Sequence, residues 1–483
     1  MTDHSAVPHF PVLRAGKEYE SLDRVELKSH RDGETVASVS QANAGIIRRD
    51  MKKLEANARA LRAMPIAERI DRCREAARIF LNEELPIGGD HMQSPDDFVD
   101  QLSSTSGLPH VMVRANMEKN AFVLSEMPLI LRGLMRGMDP NVLDEGYGDH
   151  DGVPVWYTPS ARALGAVLPS NSPGVHSLWI PSIALGVPLV LKPGREEPWT
   201  PMRVARAMMA AGFPPEAFSL YPTDHDGAGT LLEHCDRSLL FGDARVAEKY
   251  AGDPRIEIHG PGRSKVLLGD DVADDWEQYV DVFVDSVAKN GGRSCINASA
   301  IFVPRHGDAI AEALAARLAE IEPRPYDDPD AGLAAFANPT FADRMSAAVD
   351  AGVERGGARD VTEATRGGSS RRAELGCSVY LRPTVVRCDS VEHPLANTEY
   401  MFPFTSVVEV PEAEMLDVMG PSLVVTAITK NVPFLHALTT SPLISRLNVG
   451  PVPTSKVEWD QPHEGNLFEF LYERRALQRA AGW

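Results

Sequence analysis

A regular alternation of short apolar segments and longer amphipathic segments between residues 161 and 268 constrains the fold more than any other feature of this chain. The apolar segments, which we predict to be strands, are residues 163–168, 188–193, 218–221, 239–241, 255–259 and 266–268. Helices are predicted between them at residues 177–185, 201–211, 227–234 and 244–250. Alternation of this kind is typical of a parallel sheet that is covered by helices on both faces. Ligands of such sheets bind at the carboxyl ends of the strands.

The segments on either side of this alternation predict further layers of structure. Residues 41–84 and 94–127 have apolar residues at three- and four-residue steps, which predicts helices that pack on one face of the sheet. Residues 1–40 are polar and mixed, and we predict an irregular arm there. Three further elements are predicted: a β hairpin at 144–158, a second α/β unit at 271–440 and a final helix at 467–481.

The composition excludes several classes of partner. With 49 Lys and Arg residues against 68 Asp and Glu residues, the net charge of −19 argues against nucleic acid or an anionic membrane surface. The chain has no apolar run of roughly 18 residues, so we expect no membrane span, and residues 1–27 lack the apolar core of a signal peptide. The five cysteines lack metal-site spacing, which predicts reduced thiols, no bound metal and a cytoplasmic location.

One cysteine, Cys295, lies in a setting that favours covalent chemistry. A predicted helix at 276–289 leads into the turn Asn-Gly-Gly-Arg-Ser (290–294), and a short apolar strand at 300–303 follows the cysteine. A thiol just beyond a helix and a glycine turn is held by packing and yet is open to a small substrate, and its thiolate is a strong nucleophile. The alternative is a structural cysteine in the core, which is the commoner role of a lone cysteine.

The segment Asn-Gly-Gly-Arg-Ser-Cys (290–295) resembles the active-site segment of the aldehyde dehydrogenase superfamily, with Arg293 where that family usually has glutamine. A second segment, Leu-Pro-Ser-Asn-Ser-Pro (168–173), resembles the family's strand-end Pro-x-Asn-x-Pro. This resemblance implies that Cys295 is the nucleophile and that the amide of Asn171 donates a hydrogen bond to the oxyanion. A preorganised donor of this kind is worth about 3–4 kcal/mol. Without the resemblance, Asn171 would be interpreted as a turn residue before proline.

The same resemblance implies a nicotinamide dinucleotide as cofactor, although the sequence has no GxGxxG fingerprint. The residues that it assigns to cofactor binding are Lys192, Arg195, Gly242, Glu399, Tyr400 and Phe402. Arg195 replaces the family's ribose-binding glutamate, a change that slightly favours NADP over NAD. Tyr400 falls on the second ribose-binding position, with Glu399 one residue before it, and Phe402 matches the residue beside the nicotinamide. Asp243 is expected to cap the following helix and to repel the cofactor phosphates.

The general base of the family, by the same resemblance, falls on His259, because Glu-Ile-His-Gly-Pro-Gly (257–262) replaces the usual Glu-Leu-Gly-Gly. This form is closer to the branch of the family that makes acyl-CoA thioesters. A thiol needs less help than water to attack an acyl enzyme, so the loss of the carboxylate costs such an enzyme little. Two alternatives remain open: His259 is itself the base or is structural, and a register two residues different would make Glu257 the base.

These features predict an aldehyde-dehydrogenase-like α/β fold with two doubly wound parallel-sheet domains and a β oligomerisation arm. The predicted parts are a dinucleotide-binding domain (1–143 and 161–262), a catalytic domain (263–445), and an arm and tail (144–160 and 446–483). We predict a CoA-acylating aldehyde dehydrogenase, or acyl-CoA reductase, with NADP or NAD as cofactor and coenzyme A as co-substrate, assembled as a homodimer or homotetramer. The alternatives are a hydrolytic enzyme that releases a free acid and a non-catalytic relative that binds or scaffolds other proteins.

Overall fold

The computed structural model describes residues 7–462, 464–478 and 480, and these form two seven-stranded sheets with helices on their faces. In the first sheet the strands lie in the order Ile256–His259, Arg237–Phe241, Leu164–Val167, Leu189–Lys192, Phe218–Leu220, Val12–Arg14 and Lys17–Tyr19. The strands of the alternating segment in this sheet are parallel, as predicted. Val12–Arg14 pairs antiparallel with Phe218–Leu220, and Lys17–Tyr19 pairs antiparallel with Val12–Arg14.

The central strand of this sheet, Leu164–Val167, is packed closely by a helix. A side chain at Gly165 would lie 2.6 Å from Ser238 Oγ and 2.7 Å from Leu231 Cδ2. Glycine therefore allows helix His225–His234 to approach the strand, and the carboxyl end of the strand is held firmly where a ligand would bind.

The second sheet is also mainly parallel and contains the strand that follows Cys295. Its strands lie in the order Ala358–Asp360, Thr384–Cys388, Phe404–Glu409, Ala298–Val303, Ser264–Leu268, Ser422–Ile428 and Ile444–Val449. Ala358–Asp360 is the antiparallel edge strand. Ala298–Val303 and Ser264–Leu268 are buried throughout, as expected for parallel strands covered on both faces.

Helices cover both sheets and connect their strands. The α-helices are Ala44–Asp50, Leu54–Arg62, Ile66–Asn82, Pro95–Ser106, His110–Ser125, Met127–Leu134, Val142–Glu145, Pro181–Ala184, Trp199–Ala210, His225–His234, Ala244–Tyr250, Val280–Ala288, Gly307–Leu318, Pro339–Glu354, Thr362–Thr365, Glu412–Val418, Val432–Thr439 and Leu467–Leu471. Short 3₁₀ segments occur at Met51–Lys53, Pro173–Leu178, Pro215–Ala217, Ala273–Tyr279, Lys289–Gly292 and Pro394–Asn397. Within the ranges described, no helix combines the length and the apolar character that crossing a bilayer requires.

The N-terminal segment is not the irregular arm that the sequence predicts. Strands His9–Phe10, Thr35–Ser40 and Arg24–Lys28 form a small sheet, and Val12–Arg14 pairs with Phe218–Leu220 in the first large sheet. These strands are short and carry many polar residues. Their pairing depends on distant partners rather than on local periodicity, so the sequence pattern did not reveal them.

The C-terminal tail also differs from the predicted helix at 467–481. Of the residues described in this range, Leu467–Leu471 alone are helical, and Tyr472–Arg475 is a strand that pairs antiparallel with Val153–Pro159. Val153–Pro159 in turn pairs with Tyr147–His150 in the predicted hairpin. The arm and the tail thus form one three-stranded sheet, and this tertiary pairing overrides the helical periodicity of the tail.

Candidate active site

The turn before Cys295 has a left-handed backbone. Residues 290–292 have φ of 55°, 64° and 68°, which glycine adopts freely and asparagine tolerates. The side chain of Asn290 is held by hydrogen bonds, because its Oδ1 accepts from Asn116 Nδ2 at 2.8 Å and its Nδ2 donates to Ser172 Oγ at 3.0 Å. The turn is therefore tied both to the helix of Asn116 and to the loop of Ser172.

Close backbone contacts fix Cys295 itself. A side chain at Gly262 would overlap the carbonyl oxygen of Cys295, so only glycine fits there. The same carbonyl accepts a hydrogen bond from Ser264 Oγ at 2.9 Å. A side chain at Gly292 would overlap the main chain of Phe402. Because the main chain is held on these sides, the fold sets the direction of the cysteine side chain.

Cys295 is half-buried and lines two cavities, of about 510 Å³ on one side and about 480 Å³ on the other. The first, which we call the helix-lined cavity, is bordered by residues of His110–Ser125 and Val280–Ala288. The second, the strand-end cavity, lies where strands Arg237–Phe241 and Ile256–His259 end. Two molecules, one in each cavity, would therefore meet at the thiol.

Asn171 lies in the loop after strand Leu164–Val167 and lines the strand-end cavity together with Cys295. Its Nδ2 donates to the carbonyl oxygen of Arg293 at 2.7 Å and lies 3.7 Å from Met401 Sδ. The carboxamide is thus anchored to the turn two residues before the cysteine. The two residues that the sequence assigns to the nucleophile and to the oxyanion are brought together, although they belong to different sheets.

A carboxylate that sequence analysis did not identify, Glu464, lies beside the thiol. Cys295 Sγ donates to Glu464 Oε1 at 3.5 Å, and Glu464 Oε2 is 3.4 Å from His259 Nδ1. His259 Nε2 is in turn 4.0 Å from Glu257 Oε1, and its ring stacks on Phe241 with 4.6 Å between centroids. The thiol, the two carboxylates and the imidazole form one continuous line of titratable groups.

The tail reaches the cysteine because Gly465 lets it pass close to Glu257. Gly465 has φ of 80°, and a side chain there would overlap the Glu257 carboxylate. The side chain of Asn466 then caps helix Leu467–Leu471 by accepting from two of its backbone N–H groups. A glutamate before a glycine in a loop-rich tail carries no local signal of a site, which is why Glu464 was missed.

Burial and nearby charges determine the protonation of the site. Burial raises the pKa of the Cys295 thiol well above its usual value, and the carboxylates of Glu464 and Glu399 raise it further. The Lys119 ammonium, which also lines the helix-lined cavity, acts in the opposite direction on this pKa. Burial likewise raises the pKa of Glu399 to about 7. The thiol is therefore protonated near neutral pH, and attack by Cys295 requires a base close to it.

Gly242 and Asp243 follow strand Arg237–Phe241 of the first sheet, and their contacts differ. Gly242 lines the strand-end cavity. The side chain of Asp243 caps helix Ala244–Tyr250 by accepting from the N–H groups of Arg245 and Val246, both at 3.0 Å. The carboxylate thus occupies the start of the helix, where a cofactor phosphate would otherwise find free N–H donors.

The end of strand Leu189–Lys192 and the loop after it carry the charged residues Lys192, Arg195 and Glu196, and of these three Glu196 alone lines the cavity. Lys192 is half-buried, and burial lowers its pKa while Glu196 raises it. Arg195 is exposed, whereas Glu196 is half-buried and lines the cavity. The residue that presents a carboxylate to the cavity therefore comes one position after Arg195, a shift that the motif comparison did not reveal.

The segment 399–402 shows a similar shift of one position. Glu399 lines the strand-end cavity, and its Oε2 accepts from Arg263 N at 2.8 Å. Tyr400, which the sequence assigns to the ribose, instead packs beside Phe404 with 4.7 Å between ring centroids. Phe402 is buried in the same apolar cluster. Glu399 is therefore the residue of this segment that offers a carboxylate to a ligand.

Comparisons with known proteins find matches over most of the chain. A family model described as "Aldehyde dehydrogenase family" matches residues 17–419. Aminoacetaldehyde dehydrogenase of Pseudomonas aeruginosa is 28% identical over 256 residues, which are 50% of this chain and 49% of that protein. Malonate-semialdehyde dehydrogenase 2 of Bacillus anthracis is 24% identical over 258 residues, 51% of each chain. The chain thus spans about half the length of these curated relatives.

Solved structures match nearly the whole chain at low sequence identity. An indole-3-acetaldehyde dehydrogenase in complex with NAD+ has a TM-score of 0.79 at 17% identity, and the match covers 98% of this chain and 96% of that one. Aldehyde dehydrogenase 21 from Physcomitrella patens has a TM-score of 0.77 at 16% identity, and the match covers 99% of each chain. The architecture is therefore the fold of these proteins, and the predicted fold class is confirmed.

Proposed function

Since this chain belongs to the aldehyde dehydrogenase family, we propose that it oxidises an aldehyde with NAD(P)+ and releases a free carboxylic acid through an acyl intermediate on Cys295. The observation that carries the proposal is the position of the Cys295 thiol between two cavities and 3.5 Å from the carboxylate of Glu464. A nucleophile, an adjacent base and room for two reactants are the elements that this reaction requires.

In the first half of the reaction, Cys295 adds to the aldehyde carbonyl. Burial disfavours a free thiolate, so Glu464 Oε1 takes the thiol proton as the sulfur attacks. Lys119 favours the negative charge that develops at the sulfur. NAD(P)+, when bound, supplies the hydride acceptor. The product of this half is a thioester on Cys295.

The oxyanion that forms at the carbonyl is assigned to the Asn171 amide. We expect Asn171→Ala to lower kcat/KM by about 10²–10³-fold, because one preorganised donor to the oxyanion is lost. Steady-state kinetics with a saturating cofactor measure this loss. Alkylation of Cys295 by iodoacetamide forms no oxyanion and should keep its wild-type rate. A parallel fall in alkylation would mean that Asn171 serves only to hold the turn through Arg293 O, to which it is hydrogen-bonded.

In the second half, a base must activate the acceptor of the acyl group. The CoA-acylating reading of the sequence depended on the absence of a glutamate base at position 259. Glu464, with His259 at 3.4 Å, offers such a base beside the sulfur. Attack of water on the acyl enzyme needs a base of this kind, whereas attack of a thiol needs it much less. The pair of Glu464 and His259 therefore favours hydrolysis over transfer of the acyl group to coenzyme A.

The proton taken by Glu464 has an exit through His259. A cavity of about 40 Å³ borders Glu257, His259 and Glu464, and it has room for a water molecule. His259 Nε2 has no hydrogen-bond partner among the residues described and faces Glu257 Oε1 across 4.0 Å. A water between these two groups would carry the proton from Glu464 to Glu257 and away from the sulfur.

The residues of the strand-end cavity fit a nicotinamide dinucleotide. The cavity lies at the carboxyl ends of parallel strands, where this class of ligand binds. Glu399 and Glu196 line the cavity and offer carboxylates to ribose hydroxyls. Lys192 does not line the cavity, but it is half-buried at the end of strand Leu189–Lys192 and is close enough to Glu196 for that carboxylate to raise its pKa. A carboxylate repels the extra phosphate of NADP, and Arg195 is exposed. We therefore propose NAD as the preferred cofactor, in place of the slight preference for NADP that the sequence favours.

Asp243 lines the strand-end cavity with a carboxylate that would repel the cofactor phosphates, and this suggests a gain-of-binding variant. We expect Asp243→Asn to lower the Kd for NAD+ by about fivefold, because asparagine keeps the helix cap and removes a charge that repels phosphate. Isothermal titration of the free enzyme measures this affinity. Asp224→Asn is the matched control, since Asp224 caps helix His225–His234 in the same way but does not line the cavity. Unchanged binding in Asp243→Asn would place the phosphates elsewhere.

The activity is tested by following the absorbance of reduced cofactor with aldehydes and NAD+ or NADP+, with and without coenzyme A. The proposed function predicts turnover without coenzyme A and a free acid as product. Turnover that requires coenzyme A would instead support the acylating alternative. No turnover with any aldehyde, in a protein that binds cofactor, would support a non-catalytic role.

We also propose that the arm and tail join subunits of a homodimer or homotetramer. Strand Tyr147–His150 lies at the edge of the three-stranded sheet, as far as the described residues show. The edge of a sheet is suited to pairing with a second copy of the chain. Analytical ultracentrifugation measures the assembly, and a monomer at micromolar concentration would contradict it.

A further inference from the structure

We infer that the preferred substrates are aldehydes with an uncharged hydrocarbon tail, which binds in the helix-lined cavity. This inference rests on the proposed function, because it takes Cys295 as the point at which the carbonyl reacts. The cavity begins at the thiol and has a volume of about 510 Å³, which is within the range of sites for small organic molecules. Only the tail of the substrate would lie beyond the reacting carbonyl.

Apolar side chains on three separate elements form a large part of the cavity wall, beside polar ones such as Asn116 and Asn297. The apolar ones are Met112 in His110–Ser125, Val175 and Leu178 in Pro173–Leu178, and Val284 and Ala288 in Val280–Ala288. Val175, Leu178 and Val284 are only half-buried, although each lies on an element that is packed into the protein. Their remaining apolar surface faces the cavity, and a hydrocarbon tail would remove it from water.

The charged groups of the cavity do not form a site for a charged tail. Lys119 and Glu464 have opposite charges and are close enough for the Glu464 carboxylate to raise the pKa of Lys119. Both also act on Cys295, so they are engaged at the reacting end of the cavity. The other charged residues that line it have exposed side chains of mixed sign: Asp285, Lys289 and Asp330. A carboxylate on the tail would thus lose water against an apolar wall without gaining a dedicated partner.

A chain-length series tests the inference. We expect kcat/KM for straight-chain aldehydes from propanal to octanal to rise by about threefold to fourfold per methylene until the cavity is filled. Each aldehyde is compared with the semialdehyde of the same carbon number, so that butanal is paired with succinic semialdehyde and octanal with suberic semialdehyde. Octanal should exceed suberic semialdehyde by about 100-fold or more. A flat series, or a preference for the semialdehydes, would overturn the inference while leaving the proposed function in place.

A charge placed in the wall should reduce or reverse this preference. In Val284→Lys we expect kcat/KM to fall by about tenfold or more for octanal and to rise for suberic semialdehyde, so that the preference between the two is reduced or reversed. The matched control is Gln278→Lys, which adds the same charge at an exposed position on the preceding 3₁₀ segment, Ala273–Tyr279, and should leave the preference unchanged. An equal loss with both aldehydes would contradict a tail site at Val284.

A binding measurement separates failure of the inference from failure of the proposed function. Octanamide resembles the aldehyde but does not react, and we expect it to protect Cys295 from iodoacetamide at concentrations at which suberamate, its counterpart of the same carbon number with a terminal carboxylate, gives no protection. Protection without turnover of any aldehyde would keep the hydrocarbon site and overturn the proposed oxidation. Turnover without selective protection by octanamide would keep the oxidation and overturn the hydrocarbon site.

Discussion

Replacing Cys295 with alanine should abolish aldehyde oxidation, with kcat falling by roughly 10⁴–10⁶-fold. The reaction as proposed passes through a bond to this sulfur, and among the described residues no other cysteine lines either cavity. Burial raises the pKa of the Cys73 and Cys235 thiols to about 12, which keeps both of them protonated and unreactive. Production of reduced cofactor with propanal and NAD+ measures the loss.

Two controls separate this effect from loss of the fold. Cys377 is exposed and does not line either cavity, so Cys377→Ala should retain the wild-type rate. Cys295→Ala should bind NAD+ with wild-type affinity, since the charged residues assigned to the cofactor are unchanged. More than about one per cent of wild-type activity in Cys295→Ala would contradict covalent catalysis by this residue.

Replacing Glu464 with glutamine is predicted to have two opposite effects. Turnover should fall by about 10²–10³-fold, because the group that takes the thiol proton and activates water is lost. Alkylation of Cys295 by iodoacetamide draws on the small fraction of thiolate that is already in equilibrium with the thiol, so its rate follows the thiol pKa rather than the presence of a base. At pH 7.5 this alkylation should become faster in Glu464→Gln, on the order of tenfold, because one of the two carboxylates that raise the thiol pKa has lost its charge. A residue that only supports the fold would not produce this combination.

The pH dependence of the alkylation rate shows whether the Glu464 carboxylate raises or lowers the pKa of the Cys295 thiol. In the wild type, the thiol pKa lies well above its usual value, so the rate should rise steadily from neutral to alkaline pH as the thiolate forms. Glu464→Gln should shift that rise to lower pH. Glu469→Gln is the matched control, because Glu469 is an exposed carboxylate of the same tail that pairs with Arg136. A rise at the same pH as in the wild type, or at higher pH, would mean that the Glu464 carboxylate does not raise the thiol pKa and would contradict this prediction.

Much of the fold could be predicted because parallel sheets leave a strong pattern in the sequence. Strands such as Leu189–Lys192 are buried on both faces and are therefore continuously apolar. The short strands near the N-terminus and Tyr472–Arg475 carry no such pattern, because each depends on a partner far away in the chain. The predicted helix at 177–185 is divided into a 3₁₀ segment and a short α-helix, since Pro181 cannot continue the hydrogen bonding of the preceding turn.

In the candidate site, too, residues that lie in a recognisable sequence motif were found from the sequence, whereas residues that only tertiary contacts bring near the thiol were not. Cys295 and Asn171 were assigned through the resemblance of their segments to family motifs. The structure brings both residues to the strand-end cavity, and their chemical roles stay predictions. Glu464 and Lys119 could not be predicted, because a glutamate in a loop and a lysine on a helix are indistinguishable in sequence from surface residues. Their proximity to the thiol follows from the docking of the tail through Gly465 and from the packing of helix His110–Ser125. The CoA-acylating prediction rests on the Gly-Pro-Gly form of residues 260–262 and on the absence of a glutamate at position 259, and it stays a prediction that the assay with and without coenzyme A tests.

The central claim is that the sulfur of Cys295 carries the acyl group, and rapid quenching followed by mass spectrometry tests it most directly. Enzyme mixed with propanal and NAD+ is quenched in acid during the first turnover, digested and analysed for thioesters, which survive at low pH. The account predicts a propionyl mass increase on the peptide that contains Cys295, formed only when the cofactor is present. Full turnover with that peptide unmodified at every time point, or with the acyl group on another residue, would contradict it.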